Sequence, residues 1–203
     1  MKNRSNVRWL TQIALLAAIL LVLNYTPLGY LQVGPLSASL LTVPVAIGAI
    51  TMGPAAGALL GALFGATSFM QALQGKSVMG GALFAASPAG YFVVSVIGRV
   101  LMGLCVGLIF AALQKALPKK EKLTCYIAAF CAPFLNTVFY MGLLVAIFYN
   151  SEFVQNRAAK KGATNPLMFI VLVVGVQAVV EWCVCCAVAG TVSLPVRKYM
   201  KNH

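Results

Sequence analysis

Residues 40–68, LLTVPVAIGAITMGPAAGALLGALFGATS, contain no charged residue and consist mostly of small and apolar side chains. Proline and glycine divide the stretch into a short apolar segment, about 39–52, and a longer one, 54–73. Glycine recurs at every fourth position, at Gly53, Gly57, Gly61 and Gly65. This spacing places the glycines on one helix face, where a second backbone can approach closely. We expect this face to pack inside a helix bundle or, alternatively, to slide against a partner protein.

The rest of the chain is equally apolar. Of its 203 residues, 61% are hydrophobic and 9% are charged, whereas a soluble domain carries roughly 25% charged residues. This composition indicates a protein that crosses the membrane several times. Apolar runs predict spans at about 8–25, 39–52, 54–73, 91–116, 123–149 and 167–193. We therefore expect an all-α membrane protein, in which residues 1–203 form one compact domain of six transmembrane helices.

Basic residues predict the orientation of these helices. Fifteen Lys and Arg oppose three acidic residues, giving a formal net charge of +12. With the N-terminus inside, ten basic residues face the cytoplasm: Lys2, Arg4, Arg8, Lys115, Lys119, Lys120, Lys122, Arg197, Lys198 and Lys201. Four face the outside: Lys76, Arg157, Lys160 and Lys161. This asymmetry predicts that both termini are cytoplasmic. Because the charges flank apolar runs, topology and the lipid bilayer explain them, and we expect no nucleic-acid binding.

Several kinds of chemistry find no support in the sequence. There is no Asp, and the only histidine is His203, so no Ser-His or Cys-His catalytic pair can be built. The six cysteines form no C-x-x-C motif, and we expect neither a metal nor a cofactor. Gly75-Lys76-Ser77 matches the end of an ATP-binding loop, but Met70 stands where its first glycine should be. We therefore expect no enzyme activity in this chain.

Five polar residues are predicted to lie within spans, where such groups are costly and mark functional sites. From the rise per residue of a helix, the predicted depth below the outer surface is roughly 12–15 Å for Arg99, Tyr140 and Gln177. It is about 20 Å for Asn136 and Glu181. Asn136 and Tyr140 are four residues apart, as are Gln177 and Glu181, so each pair shares a helix face. Convergence of these faces with Arg99 would form an outward-facing polar pocket, in which the guanidinium suits a carboxylate.

A purely structural role for these residues stays open. Arg99 and Glu181 could neutralise each other inside the bundle, while the amides join helices through hydrogen bonds. Weaker candidates for the pocket are Ser68 and Gln71 at the rim, together with Tyr91 and Trp182, which could stack on a ligand or lie at the membrane interface.

Several segments together resemble a known family. The first span, QIALLAAILLVL, places Ala14 and Ala18 in an A-x-x-x-A step on one face. An outer Pro/Gly-rich loop, TPLGYLQVGPLS, follows it, and Arg99 lies in a G-R-x-L-x-G run. With its length, its six predicted spans and residues 40–68, the chain resembles the S components of energy-coupling factor (ECF) transporters. The resemblance is greatest to the pantothenate-type branch, judged from PLGYLQVGPLS, residues 47–68 and Asn136-Thr137.

This resemblance implies a function and a set of partners. S components are bacterial plasma-membrane proteins that bind a B vitamin from outside, with extracellular loops capping it. Ala14 and Ala18 match the motif that docks onto a transmembrane coupling (T) subunit, which two cytoplasmic ATPase subunits drive.

Pantothenate has one carboxylate and several hydrogen-bonding groups, which would suit Arg99 with Asn136, Tyr140 and Gln177, while riboflavin, pyridoxine or folate could be argued with other residues. Glu181 would repel this anion unless Arg99 pairs with it or it is protonated. Two other functions stay open: a proton-coupled secondary carrier with Arg99 and Glu181 as its relay, and a membrane scaffold of the MreD type.

Overall fold

The computed structural model describes residues 2–26, 29–33 and 36–202, except the side chains of 2–6, 30–33, 36–38, 176, 201 and 202. Its α-helices are α1 Lys2–Tyr25, α2 Thr42–Met52, α3 Pro54–Leu73, α4 Val78–Ala86, α5 Pro88–Phe92, α6 Gly98–Ala116, α7 Glu121–Phe148, α8 Glu152–Lys161 and α9 Pro166–Asn202. A π-helical segment, Val93–Ile97, joins α5 to α6. The antiparallel hairpin of β1 Tyr30–Val33 and β2 Leu36–Ser39 interrupts this architecture. The all-α class is confirmed, and the hairpin occupies the Pro/Gly-rich loop.

Among the described residues, five helices are long and apolar enough to cross a membrane: Val7–Tyr25, Pro54–Leu73, Pro88–Ala116, Glu121–Phe148 and Gln177–Met200. They correspond to the first, third, fourth, fifth and sixth predicted spans. The short helices α4 and α8 lie in segments predicted as loops, and α9 continues beyond residue 193 to Asn202.

The second predicted span, about 39–52, is the exception. It forms α2, whose 11 residues measure roughly 16 Å, about half the thickness of the hydrocarbon core. All residues from Thr42 to Ile50 are buried, and α2 contacts α1, α3, α6, α7 and α9. A helix that is apolar on every side can be surrounded by protein as well as by lipid. The apolar pattern therefore reflects the central position of α2 in the bundle.

The glycine face of α3 packs against α6. A Cβ added to Gly57 would collide with the carbonyl oxygen of Gly103, and one added to Gly61 would collide with that of Arg99. Gly65 continues the same contact against the π segment. Backbone meets backbone here because no side chain separates the two helices. Packing inside the bundle is thus confirmed for Gly57, Gly61 and Gly65, whereas Gly53 precedes α3 with a φ of 94° and makes no such contact.

Buried apolar side chains form two clusters. The first surrounds α2 and includes Leu60 and Met102. The second includes Leu83 of α4, Val154 of α8 and Phe169 of α9. We call the end of the bundle formed by the hairpin, α4 and α8 the hairpin end. The backbone N–H of Ser39, the last residue of β2, donates to Glu181 in the middle of α9. The chain therefore starts α2 from a position inside the bundle.

At the opposite end, Arg197 joins α9 to three other helices. Its Nε lies 3.0 Å from Glu121 Oε1, its Nη1 donates to the Ile50 carbonyl oxygen at 2.8 Å, and its Nη2 donates to Gln114 Oε1 at 2.9 Å. The guanidinium also lies 4.4 Å from the centre of the Phe110 ring. The extension of α9 beyond the predicted span carries Arg197 to this position.

Candidate functional site

A cavity of about 370 Å³ lies at the hairpin end, between the two apolar clusters. The five polar residues predicted as substrate contacts all line it: Arg99, Asn136, Tyr140, Gln177 and Glu181. Ser68, Gln71 and Tyr91, the weaker candidates, line it as well. Three membrane-length helices supply the five residues, since Arg99 belongs to α6, the next two to α7 and the last two to α9. The structure thus brings the predicted residues together, while their role in binding stays a prediction.

Arg99 follows the π segment directly. In that segment the Gly98 N–H donates to the Val93 carbonyl oxygen, five residues back, and such π turns are frequent at functional sites. Arg99 Nη1 donates to the Ser95 carbonyl oxygen at 2.7 Å. The side chain is thereby tied to its own helix and directed at the cavity that it lines. The sequence gives no local signal for this turn, and it was not predicted.

The Arg99 guanidinium lies between two aromatic rings. Its central carbon is 4.2 Å from the centre of the Phe64 ring and 4.9 Å from that of Tyr140. Only 9% of the residue is exposed, and its Nε forms no hydrogen bond. Cation–π contacts offset part of the cost of burying the charge. The site thus holds a largely desolvated cation whose Nε–H has no hydrogen-bond partner.

Glu181 has other partners. Its Oε1 accepts a hydrogen bond from the Ser39 backbone N–H at 2.8 Å and a longer one from Gln177 Nε2 at 3.3 Å. Arg99 and Glu181, both described, do not form an ion pair. Neutralisation through a direct ion pair is therefore not seen, while a purely structural role for the two charges stays an alternative. Glu181 instead attaches the end of the hairpin to α9.

The cavity wall contains several buried polar atoms without a hydrogen-bond partner. Besides Arg99 Nε, these are Asn136 Oδ1, Ser68 Oγ and Ser39 Oγ. A buried polar atom that stays unpaired costs about 1–3 kcal/mol, so proteins rarely keep them without a reason. Four such atoms, both donors and acceptors, belong to residues of one cavity wall, which indicates a region suited to a polar ligand.

Two residues differ from expectation in their positions. Arg157, counted from sequence only as an outer topological charge, lines the cavity from α8. Trp182 does not line it, and packs instead between Phe130 and Phe134 at ring-centre distances of 5.6 and 5.4 Å. Both phenylalanines are exposed on the surface of the bundle. Nothing in the local sequence distinguished Arg157, because the helix α8 that orients it was not predicted.

Gly75-Lys76-Ser77 forms the turn between α3 and α4. Gly75 has a positive φ of 69°, Lys76 is exposed, and Ser77 Oγ accepts from the Gly80 N–H at 3.0 Å to cap α4. A helix precedes this turn, whereas a phosphate-binding loop follows a strand. The tripeptide is therefore explained by helix capping.

Ala14 and Ala18 are both exposed on the surface of α1. The inward-facing side of this helix packs against α2 and α3, with Leu20 fully buried. The A-x-x-x-A face is therefore accessible on the outside of the bundle.

Comparison with known proteins identifies the family of the chain. No curated protein matches the chain. The family model for the ECF transporter substrate-specific component matches residues 8–193, nearly the whole chain. The matched region includes the hairpin, every residue that lines the cavity and most or all of each of the five long helices. This chain belongs to the family of substrate-specific components of ECF transporters.

Proposed function

We propose that this chain binds an anionic B vitamin, with pantothenate favoured, in the cavity around Arg99. The observation that carries the proposal is the Arg99 guanidinium, which is buried between Phe64 and Tyr140 with its Nε unpaired. A planar guanidinium binds a carboxylate through two parallel hydrogen bonds. Among the described residues, the only carboxylate that lines the cavity is Glu181, and the hairpin already engages it.

The remaining wall suits the rest of pantothenate. Pantothenate has an amide and two hydroxyls, and Asn136, Gln177 and Tyr140 offer donors and acceptors to such groups. Met141 and Val174 provide apolar surface between them. A large flat vitamin would call for parallel aromatic walls, whereas the rings of Phe64 and Tyr140 are used by Arg99. These features favour a small, flexible anion.

The family assignment supports a transport role with partner subunits. We propose that the hairpin end faces outward, that both termini are cytoplasmic, and that α2 with the hairpin completes the sixth crossing of a single domain in the bacterial plasma membrane. Ala14 and Ala18 dock onto the T subunit of an ECF module, whose two ATPase subunits supply the energy for uptake. The secondary-carrier and scaffold alternatives gain no specific support from the site.

A thermal-shift screen tests the vitamin. The purified chain in detergent is heated with each B vitamin, alongside Arg99→Met, which removes the charge but keeps an unbranched side chain between the rings. A ligand at a hundredfold excess over its Kd stabilises the folded state by about 2.7 kcal/mol. We expect pantothenate to raise the Tm of the wild-type protein and to leave that of Arg99→Met unchanged.

The Tm of each protein without ligand serves as the control for folding. If another anionic vitamin raises the Tm of the wild type but not that of Arg99→Met, the proposed site is supported and that vitamin replaces pantothenate as the ligand. An equal shift in both proteins would contradict the role of Arg99, and the absence of any shift would contradict vitamin binding.

A further inference from the structure

The cavity contains a second guanidinium, at its mouth. Arg157 lines the cavity from α8, at the hairpin end, whereas Arg99 lines it from the interior helix α6. Arg157 is half-buried, and among the described residues it forms neither an ion pair nor a hydrogen bond through its side chain. The centre of the Phe153 ring lies 5.9 Å from its guanidinium carbon. Arg157 thus brings a positive charge to the cavity with no partner of its own.

The short helix α8 fixes Arg157 in this position. Val154 and Ala158, four residues apart on one face of α8, are 1% and 3% exposed and belong to the apolar cluster at the hairpin end. Gly162 ends the helix with a positive φ of 70°. Because buried side chains anchor α8, the Arg157 guanidinium is held at the cavity. On an unanchored loop it would sample many positions.

The net charge of the cavity wall indicates that the position of Arg157 affects ligand binding. Among the described residues, the charged side chains that line the cavity are Arg99, Arg157 and Glu181. With Glu181 ionised their sum is +1, and Glu181 is engaged by Ser39 and Gln177. A net charge at a cleft attracts ligands of the opposite sign and raises their association rate.

We propose that Arg157 is a specificity-determining residue that attracts anionic vitamins to the mouth of the cavity, so that they associate faster than neutral or cationic ones. This inference rests on the function proposed above, in which the ligand is an anion bound at Arg99. A charge at the rim of a binding site acts mainly on the association rate and its salt dependence. Arg157 therefore controls how fast the vitamin arrives, while Arg99 controls how long it stays.

The same helix offers a matched control. Lys160 carries the same charge as Arg157, is exposed, and does not line the cavity. If the basic end of α8 served only membrane orientation, removing either charge would have the same small effect on binding. If Arg157 acts at the cavity, the two substitutions differ.

The experiment measures association and dissociation rates of pantothenate by stopped flow at several salt concentrations. The proteins are the wild type, Arg157→Gln and Lys160→Gln. The alcohol analogue, in which CH2OH replaces the carboxylate, serves as the neutral ligand. We expect Arg157→Gln to slow association of pantothenate about tenfold at low salt, to flatten its salt dependence, and to leave dissociation and binding of the alcohol unchanged. Lys160→Gln is expected to stay within about twofold of the wild type.

Each other outcome has a definite meaning. Equal rates for Arg157→Gln and Lys160→Gln would overturn the inference and leave the proposed function standing. If the wild type binds another anionic vitamin, the same comparison is made with that ligand. If only a neutral or cationic vitamin binds, the inference about Arg157 is overturned, while vitamin binding itself stands. If no vitamin binds, both the inference and vitamin binding are overturned. A Tm for Arg157→Gln equal to that of the wild type excludes a folding defect.

Discussion

Arg99 shows how a few neighbours can make a buried charge useful. Its Nη1 is held by the Ser95 carbonyl oxygen and its face by two rings, which leaves the Nε hydrogen unused. The sequence was sufficient to identify Arg99, because an arginine within an apolar span is costly and needs a role. It was not sufficient to identify its neighbours, because Phe64 comes from another helix and the π segment leaves no local signal.

Glu181 provides a prediction about the hairpin. Glu181→Gln keeps an oxygen that can accept from the Ser39 N–H, while Glu181→Ala removes it. We expect Glu181→Gln to bind pantothenate as well as or better than the wild type, because a negative charge leaves the cavity. We expect Glu181→Ala to release the ligand several-fold faster, because the hairpin loses a hydrogen bond worth about 1–3 kcal/mol. Dissociation rates and Tm values of both variants provide the test, and faster release from Glu181→Gln than from Glu181→Ala would contradict it.

At the scale of helices, hydropathy predicted the long elements well and the short ones poorly. The third predicted span and α3 share both ends, 54–73, because Gly53 and Pro54 define its start and a Gly-containing turn follows it. Helix α8 was missed because it has few apolar residues, and packing of Val154 and Ala158 stabilises it. The burial of α2 depends on the other helices, so its own residues could not distinguish a lipid-facing helix from a central one.

The contact between α3 and α6 gives a prediction that links packing to binding. A Cβ on Gly61 would collide with the Arg99 carbonyl oxygen, so Gly61→Ala must push α6 and Arg99 away from α3. We expect a loss of about 1–3 kcal/mol in stability, seen as a lower Tm, together with weaker binding of pantothenate. Gly142→Ala is the matched control, because no atom lies within 4 Å of its added Cβ. Equal Tm values for the two variants would show that α3 and α6 do not pack this closely.

At the scale of the whole molecule, composition and charge asymmetry predicted a membrane protein, and the ordered set of segments predicted its family. The family match over residues 8–193 confirms that assignment. Position within the fold distinguishes residues of the same type. Arg157 and Arg197 were both predicted only as topological charges, yet the fold places the first at the cavity and the second in a contact between helices at the opposite end.

The exposed face of α1 gives a prediction about assembly. Ala14 and Ala18 are accessible, so a larger side chain there leaves the folded chain intact but prevents close contact with the T subunit. We expect Ala14→Leu with Ala18→Leu to bind pantothenate normally and to lose most ATP-dependent uptake in proteoliposomes that contain an ECF module. Ala187→Leu, also on an exposed helix surface, is the control and should transport normally. Full uptake by the double variant would contradict docking through this face.

The central claim is that Arg99 binds the carboxylate of an anionic vitamin. It is tested most directly by isothermal titration of the purified chain with pantothenate and with its alcohol analogue, in the wild type and in Arg99→Met. We expect the wild type to prefer pantothenate and Arg99→Met to bind it roughly 30-fold or more weakly, while its affinity for the alcohol changes far less. Equal loss of affinity for both ligands, or no loss for either, would contradict the claim.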